Sequence, residues 1–294
     1  MPSITLSAAA KLNLTLGIEG RRADGYHEMK MVMQSVDLCD TVAVELTGAP
    51  GISIRCDDPA VPCDGRNLCH KAAQRFFEAA GIRDTGAVIS IRKVIPMQAG
   101  LAGGSADGAA VLAALNELTG SPLEKAQLLL LAASIGADLP FCLTGGTRLA
   151  GGIGEKLAAL PPLPDCAIVI AKPEEGMPTA TCFARYDAIA APAQPDHSGM
   201  CAALAAGDLR GVAKRLCNVL EPAAGLDCVE LLKRRLRELG ALGACMTGSG
   251  TAVFGLFERP DEARACADAL TGECRAAFVA RPCPTGWRVT AHGG

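Results

Sequence analysis

Aromatic side chains are scarce in this 294-residue sequence: Phe, Trp and Tyr together make up 3% of it. Its core must therefore be built mainly from Ala, Leu, Val and Ile. Charge of one sign is missing too. The balance of 28 Lys and Arg against 31 Asp and Glu leaves a net charge of −3, with no electrostatic footprint for nucleic acid or an anionic membrane. No uninterrupted apolar run of about 18 residues is present to span a bilayer. The opening "MPSITLSAAAKLNL" has no charged segment followed by a long apolar one, so no signal peptide is apparent and a cytoplasmic protein is expected. The 14 cysteines include no C-x-x-C, and none of the four histidines falls at a metal-type spacing from them. That argues against a structural zinc site and for largely buried free thiols in a reducing compartment. Two nucleotide loops are also missing: G-x-x-x-x-G-K-[ST] and G-x-G-x-x-G, which disfavours a P-loop NTPase and an NAD dehydrogenase.

What is present is a mixture of strands and helices. "ITLSAAAKLNLTLGI" (4–18) alternates in its second half, with Leu12, Leu14 and Leu16 on one face and Lys11, Asn13 and Thr15 on the other. Further strands are expected at 41–46, 51–56, 87–95, 166–171 and near "AAFVA", with a hairpin at "GGTRLAGGIGEKL" and a strand–loop–strand unit at 244–257. A helix is expected from Asn67 as N-cap to Gly81 as C-terminal stop. A second carries Val111, Leu112, Leu115 and Leu118, and a third starts with Ser121 as N-cap, Pro122 at N1 and Glu124 closing a capping box. "DLRGVAKRLCNVL" and "CVELLKRRLRELG" read as helices, and a last one begins near Pro260. In the second of these, Leu231, Leu232, Leu236 and Leu239 recur at helical spacing, which makes the basic cluster at 233–239 a solvated face. "PPLP" (161–164) is the candidate linker. Without a regular βαβ repeat, the fold class is α+β.

Five stretches have the residues for chemistry. "IPMQAGLAGGSADGAAVL" (95–112) runs from an apolar stretch through Gly100, Gly103 and Gly104 into a helix. Glycines let backbone N–H groups crowd toward an anion, and the helix end adds partial positive charge, although small residues also serve close packing. Ser105 is placed to cap that helix or to donate to a phosphate. Lys11, in an apolar strand, is either an edge residue facing solvent or a charge that meets a partner. Asp138 in "GADLPF" is either a turn residue or a functional carboxylate. "RADGYH" (22–27) sets Tyr26 and His27 beside a turn, and "TGSG" (247–250) is either a tight turn or a second anion nest.

Taken in order, "AKLNLTLGIEGRRADGYHEM", "IPMQAGLAGGSADGAAVLAALNEL", "GADLPFCLTGGTRLAGGIGEKL" and "MTGSGTAVFGLF" resemble the GHMP kinases, collinearly from Lys11 to about Phe257. "PxxxGLxGGS" indicates the superfamily alone. "K-L-N-L" followed by "R-x-D-G-Y-H" narrows it to members acting on diphosphocytidyl-methylerythritol, and argues against homoserine and mevalonate kinases. The resemblance implies a small-molecule kinase that uses ATP and Mg²⁺ to phosphorylate the 2-hydroxyl of that substrate, as a monomer or weak homodimer. It implies a two-domain α+β fold, with an ATP-binding domain over 1–160, a second domain over 161–294 and the site in the cleft between them. Its triphosphate loop would be Pro96, Met97, Gln98, Ala99, Gly100, Leu101, Ala102, Gly103, Gly104, Ser105 and Ala106, with Asn67 near the adenosine and Ser105 a contact for metal or phosphate. Lys11 and Asp138 would be the catalytic pair. Asn13, Tyr26 and His27 would line the substrate pocket, the last two recognising the cytosine, joined by Thr179 and Phe183. Gly248, Ser249 and Gly250 would close over the transfer region. Gln98, Ala99 and Ala102 stand where some relatives have glycine, and an alanine fits such a loop without strain only at negative φ. Gly108, inside the predicted helix, costs up to about 1 kcal/mol relative to Ala unless close packing needs it.

Overall fold

A computed structural model describes residues 1–190 and 192–293. The first part of the chain forms β1 (Ser3–Arg21), β2 (His27–Thr47), β3 (Ile52–Cys56), α1 (Leu68–Ala80), β4 (Gly86–Arg92), α2 (Gly103–Leu118), α3 (Lys125–Ile135), α4 (Leu139–Thr144), β5 (Thr147–Gly152) and β6 (Lys156–Ala159). After the proline-rich connection come β7 (Ala167–Lys172), α5 (Thr179–Asp187), α6 (His197–Ala205), α7 (Leu209–Lys214), β8 (Cys217–Asn218), α8 (Glu221–Ala224) and α9 (Asp227–Glu238). The chain finishes with β9 (Gly243–Met246), β10 (Val253–Phe257), α10 (Pro260–Ala269), β11 (Ala276–Ala280) and β12 (Trp287–Gly293).

Two sheets organise these elements into an α+β fold. The larger has the order β12-β1-β2-β4-β3, with β5 and β6 continuing from β2 and β8 pairing β1. The smaller is antiparallel, in the order β11-β7-β10-β9. Helix α2 is buried over most of its length because residues 106–115 are almost all small or aliphatic. It packs on α1 and β1, and Gly108 belongs to that packing: a Cβ there would meet Leu139 at 3.3 Å. The few aromatics go where they fill most volume, with Phe76, Phe141, Phe254 and Phe257 fully buried. Truncating any of them to Ala is expected to cost about 3–5 kcal/mol.

Strand β1 is interior rather than an edge. It has β2 on one side and β12 and β8 along the other, so the Lys11–Asn13–Thr15 face is as buried as the leucine face. A register irregularity between Asn13 and Thr15 accommodates both faces. Strand β12 is also notable for its place: it comes last in the chain and pairs with the first strand.

Several local expectations need correction. Helix α3 starts at Lys125 with Glu124 as N-cap, and the Gln127 side chain accepts from the Glu124 N–H at 2.8 Å. Ser121 lies at φ 59, because Asn116 holds both the N–H and the carbonyl of Leu123 and keeps the segment out of helix. "DLRGVAKRLCNVL" is not one helix; α7 ends at Lys214 and Cys217–Asn218 adds in parallel to β1. On α9 the buried face is Val229, Leu232, Lys233 and Leu236. Leu231 is 45% exposed, while Lys233 turns inward onto Glu221 and Glu230. Six of the 14 thiols are buried and Cys63 alone is exposed. Among the described residues, no helix is long and apolar enough to cross a membrane.

Candidate active site

The loop between β4 and α2 is held by its backbone. Lys11 N–H donates to Leu101 O at 3.1 Å, and Ala252 N–H donates to Ala99 O at 3.1 Å, so the loop is attached to both β1 and the β9–β10 connection. Gly100 lies at φ 75 against Thr247, where any Cβ would run into the Thr247 carbonyl oxygen. Left-handed backbone also occurs at Gln98 (φ 50) and at Ala102 (φ 56), which is the N-cap of α2. Thus two of the three positions that depart from glycine adopt the conformation that glycine takes without cost, and each carries strain of roughly 1–2 kcal/mol. Ala102 offers no side-chain cap to α2. Ser105 lies inside the first turn rather than capping it, so the N–H groups of that turn stay open to an anion.

Lys11 reaches this loop from β1. Its ammonium donates to Asn13 Oδ1 at 2.6 Å, and the same oxygen accepts from Gly248 N–H at 3.0 Å. Burial pushes the Lys11 pKa below its usual value, while Asp138 and then Cys142 pull it back up. Asp138 stands at the N-cap of α4, which Pro140 in its first turn helps to start. Among the described residues no ion pair within 4 Å joins the two; Asp138 acts on Lys11 as a charge across the cleft. The β9–β10 connection closes the other side, with the Thr179 and Ser249 hydroxyls 3.0 Å apart.

These groups line one cleft of about 420 Å³. It brings together Lys11, Asn13, the run Pro96 to Gly104, Asp138, Thr179, Phe183, Gly248, Ser249 and Gly250, which are most of the residues expected from the sequence. Five others lie outside its lining. Asn67 caps α1, accepting from Cys69 N–H at 2.8 Å and donating to Pro62 O at 2.7 Å. Ser105 and Ala106 follow the lining residues into α2. Tyr26 is 62% exposed. His27 stacks on Phe183 at a 5.0 Å ring separation and bonds Asp187 Oδ1 at 2.7 Å, so it adjoins the cleft through Phe183. That bond, ahead of the Arg21 charge, holds the Asp187 carboxyl below its usual range.

Sequence reasoning missed Lys93, Asp40 and Asp107. Lys93 lines the cleft beside Gly103, and its ammonium bonds both Asp40 and Asp107, the latter at 2.7 Å. Asp40 also accepts from Val94 and Ile95 N–H at 2.6 and 2.8 Å, which fixes the start of the loop. Burial pushes the Asp107 carboxyl up to about 7; nearby Asp40 adds to this and Lys93 opposes it. The available signals were slight: Asp40 is one of three carboxylates among the residues 36–46, and Lys93 follows Arg92 at the end of an apolar strand.

Comparison with known proteins agrees with this geometry. The family described as "GHMP kinases N terminal domain" matches residues 67–146, and "GHMP kinases C terminal" matches residues 200–276. The 4-diphosphocytidyl-2-C-methyl-D-erythritol kinase of Acetivibrio thermocellus is 42% identical over 268 residues, covering 90% of this chain and 93% of its own. The protein of that name from Pelotomaculum thermopropionicum is 43% identical over 263 residues, with 89% and 91% covered. A crystal structure of 4-(cytidine 5'-diphospho)-2C-methyl-D-erythritol kinase superposes with a TM-score of 0.80 at 35% identity, over 95% of this chain and 98% of that one. A homoserine kinase from Cytophaga hutchinsonii shares the fold, with a TM-score of 0.77 at 24% identity and 98% and 97% covered. A cleft lysine and carboxylate facing a glycine-rich helix start, on a chain this similar along nearly its whole length, leave one family assignment: the chain belongs to the GHMP kinases.

Proposed function

We propose that this chain is an ATP-dependent kinase that phosphorylates the 2-hydroxyl of 4-diphosphocytidyl-2-C-methyl-D-erythritol, a step in nonmevalonate isoprenoid precursor synthesis. The carrying observation is that Lys11, Asp138 and the open N–H groups at the start of α2 face one cleft. Phosphoryl transfer depends chiefly on alignment and charge stabilisation, and these groups supply both. Asp138 accepts the proton of the acceptor hydroxyl as its oxygen bonds to the γ-phosphorus and the bond to the bridging oxygen of ADP breaks. Lys11, across the cleft from Asp138, stabilises the charge on the transferring group. The loop from Pro96 to Ala106 holds the triphosphate by its N–H groups, with Asn67 at the edge of the nucleoside site. Asn13 and Thr179 position the acceptor, and His27, Phe183 and Tyr26 receive its cytosine. The His27–Phe183 stack offers the kind of face on which a base can lie.

Mg²⁺ fits this site as an ion held mainly by ATP, since magnesium keeps several waters and takes one or two protein oxygens beside the phosphates. In this reading Ser105, which follows the lining residue Gly104 in the first turn of α2, would contribute one. When bound, the ion neutralises charge on the β- and γ-phosphates.

The chain divides, in this reading, into an ATP-binding domain over 1–160 and a second domain over 161–294, with β12 returning to the first sheet. The terminal residue, 294, lies outside the described residues. In the same reading the protein is a monomer or weak homodimer, and free thiols suit the cytoplasm. The test is ATP consumption with diphosphocytidyl-methylerythritol, homoserine and mevalonate as acceptors. Turnover with the first alone is expected, and turnover with either of the others instead would overturn the assignment. Asp138→Asn should lower turnover by roughly 10²- to 10⁴-fold. Its ATP affinity, measured by calorimetry, should be retained.

A further inference from the structure

Asn218 is 3% exposed, sits in β8 next to β1, and has no place in the chemistry above. Its side-chain amide donates to two carbonyls, Met246 O at 2.9 Å and Gly248 O at 2.8 Å. Its Oδ1 accepts from Leu220 N–H at 2.9 Å. The partners dictate the orientation, because turning the amide over would set Oδ1 against two carbonyl oxygens and the NH₂ against an N–H. Asn218 is itself fixed, since the Val219 N–H donates to Leu16 O at 3.0 Å, three residues along β1 from Asn13.

Gly248 is thus gripped on both sides. Asn13 Oδ1 accepts from its N–H at 3.0 Å, and Asn218 donates to its carbonyl. In a trans peptide the C=O and the following N–H point in opposite directions. With the Gly248 carbonyl drawn back onto Asn218, the Ser249 N–H is turned the other way. Gly248 and Ser249 line the cleft, and a Cβ on Gly248 would lie 3.1 Å from Lys11 Nζ. Among the described residues, the Ser249 N–H has no hydrogen-bond partner within the chain.

We propose that Asn218 is a positioning residue: by holding the Gly248 carbonyl, it locks the Gly248–Ser249 peptide so that the Ser249 N–H faces the cleft as a fixed donor to phosphoryl oxygens. The inference rests on the kinase reading above. A donor fixed before charge develops costs no reorganisation when it does, so its main effect falls on turnover rather than on binding.

Three measurements test it. Asn218→Asp keeps the size and the acceptor for Leu220 but puts an oxygen against two carbonyls. It should lower kcat about 10²-fold while ATP affinity and the KM for the acceptor stay within about threefold. Replacing Ser249 with its α-hydroxy-acid counterpart, which swaps the amide for an ester, removes that N–H and weakens the Gly248 carbonyl as an acceptor, should lower kcat comparably. This second variant decides the matter if Asn218→Asp does not fold. Finally, the Ser249 amide proton resonance should move on adding Mg²⁺ and a non-hydrolysable ATP analogue to the wild type. An unchanged kcat in the ester variant, or an Asn218→Asp variant that loses only melting temperature and affinity, would make Asn218 a plain brace and overturn the proposal. Absence of wild-type turnover of diphosphocytidyl-methylerythritol counts against the kinase reading instead; the resonance shift does not depend on the acceptor and still decides the inference.

Discussion

Lys11 and Lys93 are the same residue type, buried in the same cleft wall, and their surroundings push them in opposite directions. Burial lowers the pKa of Lys11, whose ammonium bonds, among the described residues, only the neutral Asn13. Burial works on Lys93 too, but Asp107 and Asp40 outweigh it and raise its pKa. Lys93 is a finished interaction: its charge is spent holding the start of the phosphate loop to β2 and α2. Lys11 is an unfinished one, with a desolvated charge and no carboxylate in contact among the described residues, and in the proposed function an anion completes it. A buried cation without a partner is costly, so its presence points to ligand chemistry rather than to folding.

The largest expected effect separates the two by activity. Lys11→Met should lower turnover by about 10²- to 10³-fold while leaving stability unchanged or higher, because it removes a poorly compensated buried charge. Lys93→Met should instead lower stability by about 3–5 kcal/mol, since it strands Asp40 and Asp107. Chemical denaturation and steady-state kinetics on both variants check this, and equal losses of stability would break the contrast. The pH dependence has opposite signs. Where Lys11 has lost its proton in the native state but keeps it when unfolded, up to the usual 10.5, the unfolded state binds more protons and this group makes stability rise with pH. Lys93 stabilises fully below 10.5, and its contribution is lost as pH climbs through its raised value. Unfolding followed between pH 8 and 11 should lose the rising component in Lys11→Met and the falling one in Lys93→Met.

Asp107→Asn sharpens the picture of Lys93 with a smaller effect. Native Asp107 keeps its proton up to about 7 against an ordinary 3.8, so in that window the native state binds more protons and this group makes stability fall as pH rises. Removing the group should flatten the slope between pH 4 and 7 in a urea titration series. The smallest effect lies between the lysines, where Leu101 bonds the Lys11 N–H and Gly103 abuts Lys93. Ala102→Gly relieves a left-handed alanine and should raise stability by roughly 0.5–1 kcal/mol, the remainder after glycine's extra unfolded-state entropy. A loss in thermal denaturation would show that φ 56 is not strained there.

The sequence made the site legible where chemistry and local structure coincide. The glycine-rich loop before α2, the alternation of β1 and the Asp138 turn each combine a local signal with a residue able to act, and all line one cleft. The Lys93 cluster stayed hidden because its members come from 40, 93 and 107 and each looks ordinary among its neighbours. Asn218 was hidden differently, inside a pattern read as a helix, where contact with β1 overrides the local preference. Ser121 failed as a cap for the same kind of reason: Asn116, on another helix, claims that segment first. Where the strain in the phosphate loop sits followed from φ, which composition does not report.

The pairing of β12 with β1, Ser3 opposite Gly293, has a consequence for how the protein is made. A ribosome releases β1 long before the segment that flanks it. Until then the strand bearing Lys11 has an open edge, exposed to stray pairing with other chains. The Ser3–Ala8 edge of the strand that carries Lys11 is therefore covered only once Trp287–Gly293 has been made, and substitutions in β12 would be felt in β1.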